Sequence, residues 1–511
     1  MSTFRDSSIL IIETGRTVVR ASLGLHELLK TPTVEIPACV GLRQSAPDSS
    51  TSDGKQPSKN GEGSDYWRPL PSNSRVSSLP CYSHPTAQVN DYLVGSQLDE
   101  ALETGQDILV SWPFADGDIR DWTQAEAIWK HVILHKLQIK RTQNESPAML
   151  SIAPGLSRDS SEQICRTFFE RFNVAGFAIV ERPMAQIYAT GQLSGVVVDI
   201  GYEKTDISPV YDGFLVHPAR SSTSLGIRDC ENYLANILRS NHSVMAAASR
   251  PDSPSDPDTI QRFLLDFVKH VWTEGHIRVP SDGQTIEIPE DEGVTNIAAV
   301  LVAGKEKAVI ETGMKKKATA KATAAEQARA KEIEALDLVT VMFRDHSITL
   351  GKERHRFCEP LFDPLLLNFP PQANIEEPFE DPLPLQDAVG FSVGQTGVDQ
   401  RQYIWQGLFV TGDLTNCVKG IGTALQSRLS PFILSNPDQQ NEVQPRSIRV
   451  LNVPEYFAEY RERGDGLAAF LGTSIVAKIS FSDTQGRNFV SKSDYDAKGP
   501  RIIIEMSPAL L

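Results

Sequence analysis

Apolar residues gather in short blocks broken by single acids and glycines. The block "SILII" at 8–12 reaches Glu13, turns at Gly15 and returns as a second apolar run at 17–23. The stretch "GVVVDIGYEKTDISPVYDG" at 195–213 repeats that order, with a strand over 195–200, Asp199 near its end, a turn at Gly201 and a return strand over 205–210. Short apolar runs bounded by turn residues predict buried strands, and more are predicted at 347–350, 447–451 and 501–505. Helical patterning predicts helices over 123–138, 159–171, 183–192, 229–239, 259–272, 417–428 and 467–479. Hairpins followed by helices, met twice, predict α/β lobes facing a cleft.

Several stretches break this pattern. Residues 44–91 are rich in Ser, Pro, Gly and Asn and predict an irregular loop. Prolines at 247–258, 368–386 and 435–446 forbid regular helix or central strand there. The segment 305–336 is dominated by Ala, Lys and Glu and predicts a protruding, solvated helix. Its Lys315–Lys317 cluster reads as a solvated helix face, with a nuclear-import or DNA-contact patch as the other reading.

Composition narrows the class. A chain of 511 residues exceeds one ordinary core, so two or more lobes are expected. A formal net charge of −15 disfavours autonomous binding to a phosphate backbone and leaves DNA contact indirect at most. The six cysteines (Cys39, Cys81, Cys165, Cys230, Cys358, Cys417) form no CxxC or Cys/His cluster, which argues against structural zinc and a disulfide framework and fits a reducing compartment. The first apolar run is broken by Glu13, so no signal peptide is expected, and no apolar stretch is long enough to cross a bilayer. A soluble intracellular protein is expected.

Five segments in order resemble the actin superfamily. They are "SWPFADGDIRDWTQAEAIWKH" (111–131), "ERFNVAGFAIVERPMAQIYATGQLSGVVVDIGYEKTDISPVYDGF" (170–214), "ITLGKERHRFCEPLFDP" (348–364), "FLGTSIVAKISF" (470–481) and "SDYDAKGP" (493–500). A narrower likeness, in "TFRDSSILII", "EIPACVG" (35–41), the insertion around 297–336 and "VPEYFAEYRERGDGLAAFLG" (453–472), resembles the nuclear actin-related protein nine class, subunits of fungal SWI/SNF and RSC chromatin remodellers. The resemblance implies an α/β, actin-like ATPase fold: ribonuclease-H-like duplicated lobes around a central cleft, with large insertions. It implies a first subdomain from 1–35, 113–189 and 467–511, and a second from 36–112 holding the irregular 44–91 stretch. A third would come from 190–225 and 380–466, and a fourth from 226–379 with a helical insertion around 280–340.

The resemblance also marks a nucleotide site, residue by residue. In the family each hairpin supplies an aspartate near metal-bound waters and small residues whose N–H groups approach phosphates, where glycine permits positive φ and close contact. In the first loop Glu13 replaces the aspartate, Gly15 stays, Arg16 replaces a small hydroxyl residue, and Arg20 keeps a basic position. In the second loop Asp199 and Gly201 are retained, while Tyr202 and Glu203 replace an aspartate and a glycine. Glu203 adds a charge that opposes phosphate by roughly 4 kcal/mol at a surface-like dielectric, which Arg16 offsets in part as a phosphate ligand. The family's water-orienting glutamine and assisting histidine are Arg182 and Asp206 here. Arginine has no acceptor for a water proton, so hydrolysis is expected to be lost, and Arg182 is expected to pair with Asp199 or Glu13. The glycine-rich turn of the adenosine pocket keeps Gly412 but places Asp413 next. The cofactor expectation is therefore none, or ATP bound weakly, and no metal.

Surfaces remain. The family's apolar groove for partner helices maps to Tyr188, Ala189, Gly191, Phe214, Ile475, Val476 and Ile479. In the remodeller class the resemblance implies a long helix preceding the motor's ATPase domain, with a second actin-related protein beside it, in the nucleus. Filament formation is disfavoured, because the 44–91 stretch replaces a docking loop. The alternatives are an ATP-hydrolysing cytoskeletal actin-related protein, and a sugar kinase or heat-shock chaperone sharing the hairpin architecture. The 111–131 segment favours actin over the latter pair.

Overall fold

The computed structural model describes residues 4–25, 30–44, 68–69, 79–248, 257–280, 337–367, 382–433, 447–482 and 488–507. Two units divide the chain: Met1–Ser224, Phe391–Gly412 and Gln440–Leu511 form the first, and Leu225–Gly390 and Asp413–Gln439 the second. The first unit holds two sheets. In one, β1 (Leu10–Thr14) pairs antiparallel with β2 (Val18–Leu23), which pairs with β3 (Val34–Pro37). On the other side β1 runs parallel to β4 (Pro147–Ile152), and β4 parallel to β5 (Gly176–Glu181), with Val490–Ser491 on the edge. Every residue of β1, β4 and β5 is buried, whereas edge strand β3 alternates buried and exposed. Strands covered on both faces carry no two-residue alternation, which is why the pattern of β4 and β5 is unreadable as strand.

The second sheet repeats the motif. β6 (Gly195–Ile200) and β7 (Thr205–Tyr211) form an antiparallel hairpin, extended by β8 (Phe214–Leu215) and β9 (Ser221–Thr223) on β7 and by β10 (Leu408–Thr411) parallel to β6. Helix α1 (Arg182–Ala189) leaves β5 directly, and α2 (Ala468–Ser482) lies against it. Gly472 makes that contact close: a Cβ there would sit 1.6 Å from the Ala185 carbonyl oxygen. One core joins Ile11, Met149, Val180, Ile187, Phe470 and Leu471 under these helices, and a second gathers aromatic rings around Trp129, Phe168 and Phe177. Phe168 and Phe177 stack at 4.4 Å.

The second unit is built on helices Ile227–Leu238 and Pro257–Thr273, with a hairpin of Val339–Phe343 and His346–Leu350. Two expected strands fail. Residues 501–505 lie in a short helix, Ile502–Met506, and 447–451 offers a single bridge, Val450 to Leu408. The predicted helices form, although 123–138 and 159–171 pass into wider π turns at His131–Lys136 and Thr167–Arg171. The expectation of no regular structure over 368–386 stops short at its end: helix Leu385–Gly394 starts just past Pro384, where a proline costs no helical hydrogen bond. The predicted helix at 305–336, most of the 44–91 loop and most of the other proline-rich stretches lie outside the described residues. Among the described residues no helix is long and apolar enough to cross a membrane.

Candidate functional site

The two hairpins turn alike. Gly15 N–H donates to the Val18 carbonyl at 2.9 Å, and Gly201 N–H to the Lys204 carbonyl at 3.0 Å. Neither glycine has positive φ, so the conformational reason expected from the sequence is wrong here. The reason is space. A Cβ on either would come within 2.8 Å of the carbonyl oxygen that closes its own turn. Gly412 does need positive φ, at 110°, and a Cβ there would meet the Ile200 carbonyl oxygen at 2.2 Å.

Ladder register sets the charged side chains opposite one another, Glu13 across from Arg20 and Asp199 across from Asp206. Arginines then tie the hairpins together. Arg182, at the first position of α1, lies 3.3 Å from Glu13 and 2.9 Å from Asp199. The second approach, through Nε, is a charge contact rather than an aligned hydrogen bond. Gln186, one turn along the helix, donates to Asp199 Oδ2 at 2.8 Å. Arg16 of the first loop is ion-paired with Asp206 of the second hairpin. Arg20 is buried between Glu13 at 3.5 Å and Glu35 at 3.0 Å. Thr14 Oγ1 accepts from Trp129 Nε1 at 3.0 Å, fixing the end of β1 to the aromatic core.

Three guanidinium groups thus meet Glu13, Asp199 and Asp206. Such an arrangement does not fit a metal-bound triphosphate. The two carboxylates that the resemblance sets near metal waters both face one cation, and the Arg16 charge expected on phosphate is spent on Asp206. Arg182 cannot accept a water proton, and Asp206 is held by Arg16. Among the described residues no cluster of three or more His, Cys, Asp or Glu is placed to hold a metal ion.

The expected partner groove is only partly a surface. Ala189 is fully buried and Val476 is 8% exposed, so both belong to the core rather than to a docking face. Tyr188 and Ile475 are half-buried, and the Tyr188 hydroxyl donates to the Gly213 carbonyl at 2.9 Å. Phe214 at 56% and Ile479 at 63% are exposed, as is Gly191. Tyr456, exposed and not expected from the sequence, has its hydroxyl beside Gly191. Sequence reasoning also missed Gln186 and Trp129 in the hairpin network, although each stands at a helical position facing β6 or β1.

The actin family model, described as Actin, matches residues 5–507. The chain is 25% identical over 564 aligned residues to the SWI/SNF and RSC complexes subunit arp9 of Schizosaccharomyces pombe, covering 98% of this chain and 99% of that one. It is 26% identical over 214 residues to centractin of the same organism, covering 41% of this chain and 54% of that protein.

Proposed function

The chain belongs to the actin family, and on that premise we propose that it is a non-catalytic actin-related subunit of a nuclear chromatin-remodelling complex of the SWI/SNF or RSC type. The observation that carries this reading is the end-to-end similarity to the arp9 subunit, 98% of one chain against 99% of the other. The ion-pair network supports the non-catalytic part, because Arg182 stands between Glu13 and Asp199 where hydrolysis would need a proton acceptor. The subunit holds no resident cofactor, or holds ATP weakly, and the ATPase activity of the complex belongs to another chain.

In this reading the partners are a helix preceding the motor's ATPase domain and a second actin-related protein. Exposed Phe214 and Ile479, with half-buried Tyr188, offer the aromatic and aliphatic anchors that an amphipathic helix needs. Affinity purification from nuclear extract tests the assembly. Co-purification of a remodeller motor and another actin-related chain is expected, and their absence from a solubly expressed, tagged protein would reject it. The alternative, an ATP-hydrolysing or filament-joining protein, would be revived by sustained phosphate release or by sedimentation of the chain alone.

A further inference from the structure

In the second unit a histidine bonds two stretches of chain that lie far apart in sequence. Arg278 N–H donates to His355 Nδ1 at 3.0 Å, and His355 Nε2 lies 2.7 Å from Asp337 Oδ2. A backbone N–H can only donate, so Nδ1 is the bare, accepting nitrogen and the ring proton sits on Nε2, where the carboxylate takes it. Arg354 works alongside. Its Nε donates to the His276 carbonyl at 2.9 Å, and its other nitrogens meet the Asp337 carboxylate at 2.9 Å and the Asp337 carbonyl. His355 is 9% exposed and Arg354 4%. Segment 276–279 precedes residues 281–336 and Asp337 follows them, so the two side chains tie together the ends that flank that stretch. Asp337 is held there at a φ of +48°, which a side chain adopts only at some cost. On its far side the segment is anchored by Val279 N–H, which donates to the Lys419 carbonyl at 2.9 Å.

Only the neutral ring fits both partners. A second ring proton would set an N–H against the Arg278 N–H and leave two buried donors facing one another, which is costly. We propose that His355 is a proton-operated clasp: neutral, it ties segment 276–279 to Asp337, and on taking up a second ring proton it lets go of the Arg278 amide, so that the two ends flanking 281–336 come apart. The charges facing the ring are Asp337, Arg354 and Arg278, and the segment also carries His276. Helix Ile227–Leu238, packed on the same turn, brings Asp229 and Glu231, which accept from the Gly226 amide and the Trp272 indole. Its Cys230 and Tyr233 are pushed up by burial and stay protonated throughout the range where a histidine titrates. Burial, with the Arg354 and Arg278 charges, holds the His355 pKa below its ordinary 6.5 against the pull of Asp337. The clasped chain therefore binds fewer protons than the open one. Its grip is full above pH 6.5 and weakens as pH falls below that value, until the lower pKa of the clasped state is passed. None of these residues belongs to the two hairpins, and the proposal stands whether or not the chain joins a remodeller.

The test is hydrogen exchange of the purified full chain as a function of pH, corrected for intrinsic rates and read in peptides covering 276–279 and 337–341. Protection of the Arg278 amide should fall by up to about tenfold per pH unit below 6.5. His131, the other buried histidine that burial holds low, lies in the first unit, so peptides from 123–138 report its titration separately. His355→Gln supplies a carboxamide that both accepts and donates but does not titrate. It should keep protection above pH 7 within about threefold and abolish the pH dependence. His355→Phe should lower protection roughly tenfold or more at every pH, since the Arg278 donor is left without an acceptor. Protection that stays flat with pH in the unaltered chain would overturn the proposal, as would a His355→Gln variant that titrates like the parent. Should either variant fail to fold, deuterium exchange at the imidazole C2 position of the unaltered chain decides. A His355 midpoint below 6.5 is expected, and one at or above it would overturn the clasp.

Discussion

Replacing Arg182 by glutamine removes the one cation that, among the described residues, pairs with acids on both hairpins. Glu13 is fully buried and keeps Arg20 at 3.5 Å, while Asp199 keeps the Gln186 amide at 2.8 Å. Removing one member of a buried ion pair costs about 3–5 kcal/mol, because the remaining charge stays desolvated. Asp199 retains 18% of its side-chain exposure and Arg182 15%, so water repays part of that loss. A net loss of about 2–4 kcal/mol in the first unit is expected. Hydrogen exchange at 10–23 and 195–211 reads it locally, which matters in a chain whose two units need not unfold together. A second substitution separates this account from simple loss of packing. Asp199→Asn added to Arg182→Gln deletes the acid left with only the Gln186 amide, so the double variant should be more stable than the single. If the single variant exchanged like the parent, or if Asp199→Asn made matters worse, the reasoning would be refuted.

Four further outcomes are expected. Gly412→Ala forces a Cβ against the Ile200 carbonyl at positive φ and should destabilise by about 2–4 kcal/mol, read as a lower unfolding midpoint in urea. Gly472→Ala should cost about 3 kcal/mol or more by driving α2 off Ala185, again by denaturant unfolding. Burial, with Lys136 and His135 nearby, pulls the His131 pKa down to about 4 from its usual 6.5, so unfolded chains bind the proton first. Stability should therefore fall by up to about 3 kcal/mol as pH drops from 6.5 towards 4, and thermal scans of His131→Gln should lack that component. Phe214→Asp with Ile479→Asp should abolish co-purification of the motor while leaving the unfolding midpoint within about 0.5 kcal/mol, since both side chains are exposed.

The sequence makes the hairpins legible because each ends in an acid and a glycine, and both turns close through that glycine. The pairing of Arg182 with Glu13 and Asp199 was also legible, but only through the resemblance that set all three in one cleft. Strands β4 and β5 were not, because full burial erases alternation. The run Ile502–Met506 was misread for a related reason: three isoleucines in a row fit a strand or one buried helical turn equally well. Ala189 and Val476 show the converse limit. A small apolar residue on a helix looks the same from sequence whether it faces a partner or the core.

Helix α1 is eight residues, about 12 Å end to end, and Gly472 of α2 holds it without slack. At its head is the arginine that clasps two strands, and at its tail are Tyr188 and the exposed turn at Gly191. Arg182 and Tyr188 thus stand at opposite ends of a single helix packed along α2, so the clasp between the hairpins and the exposed turn at Gly191 hang on one brace.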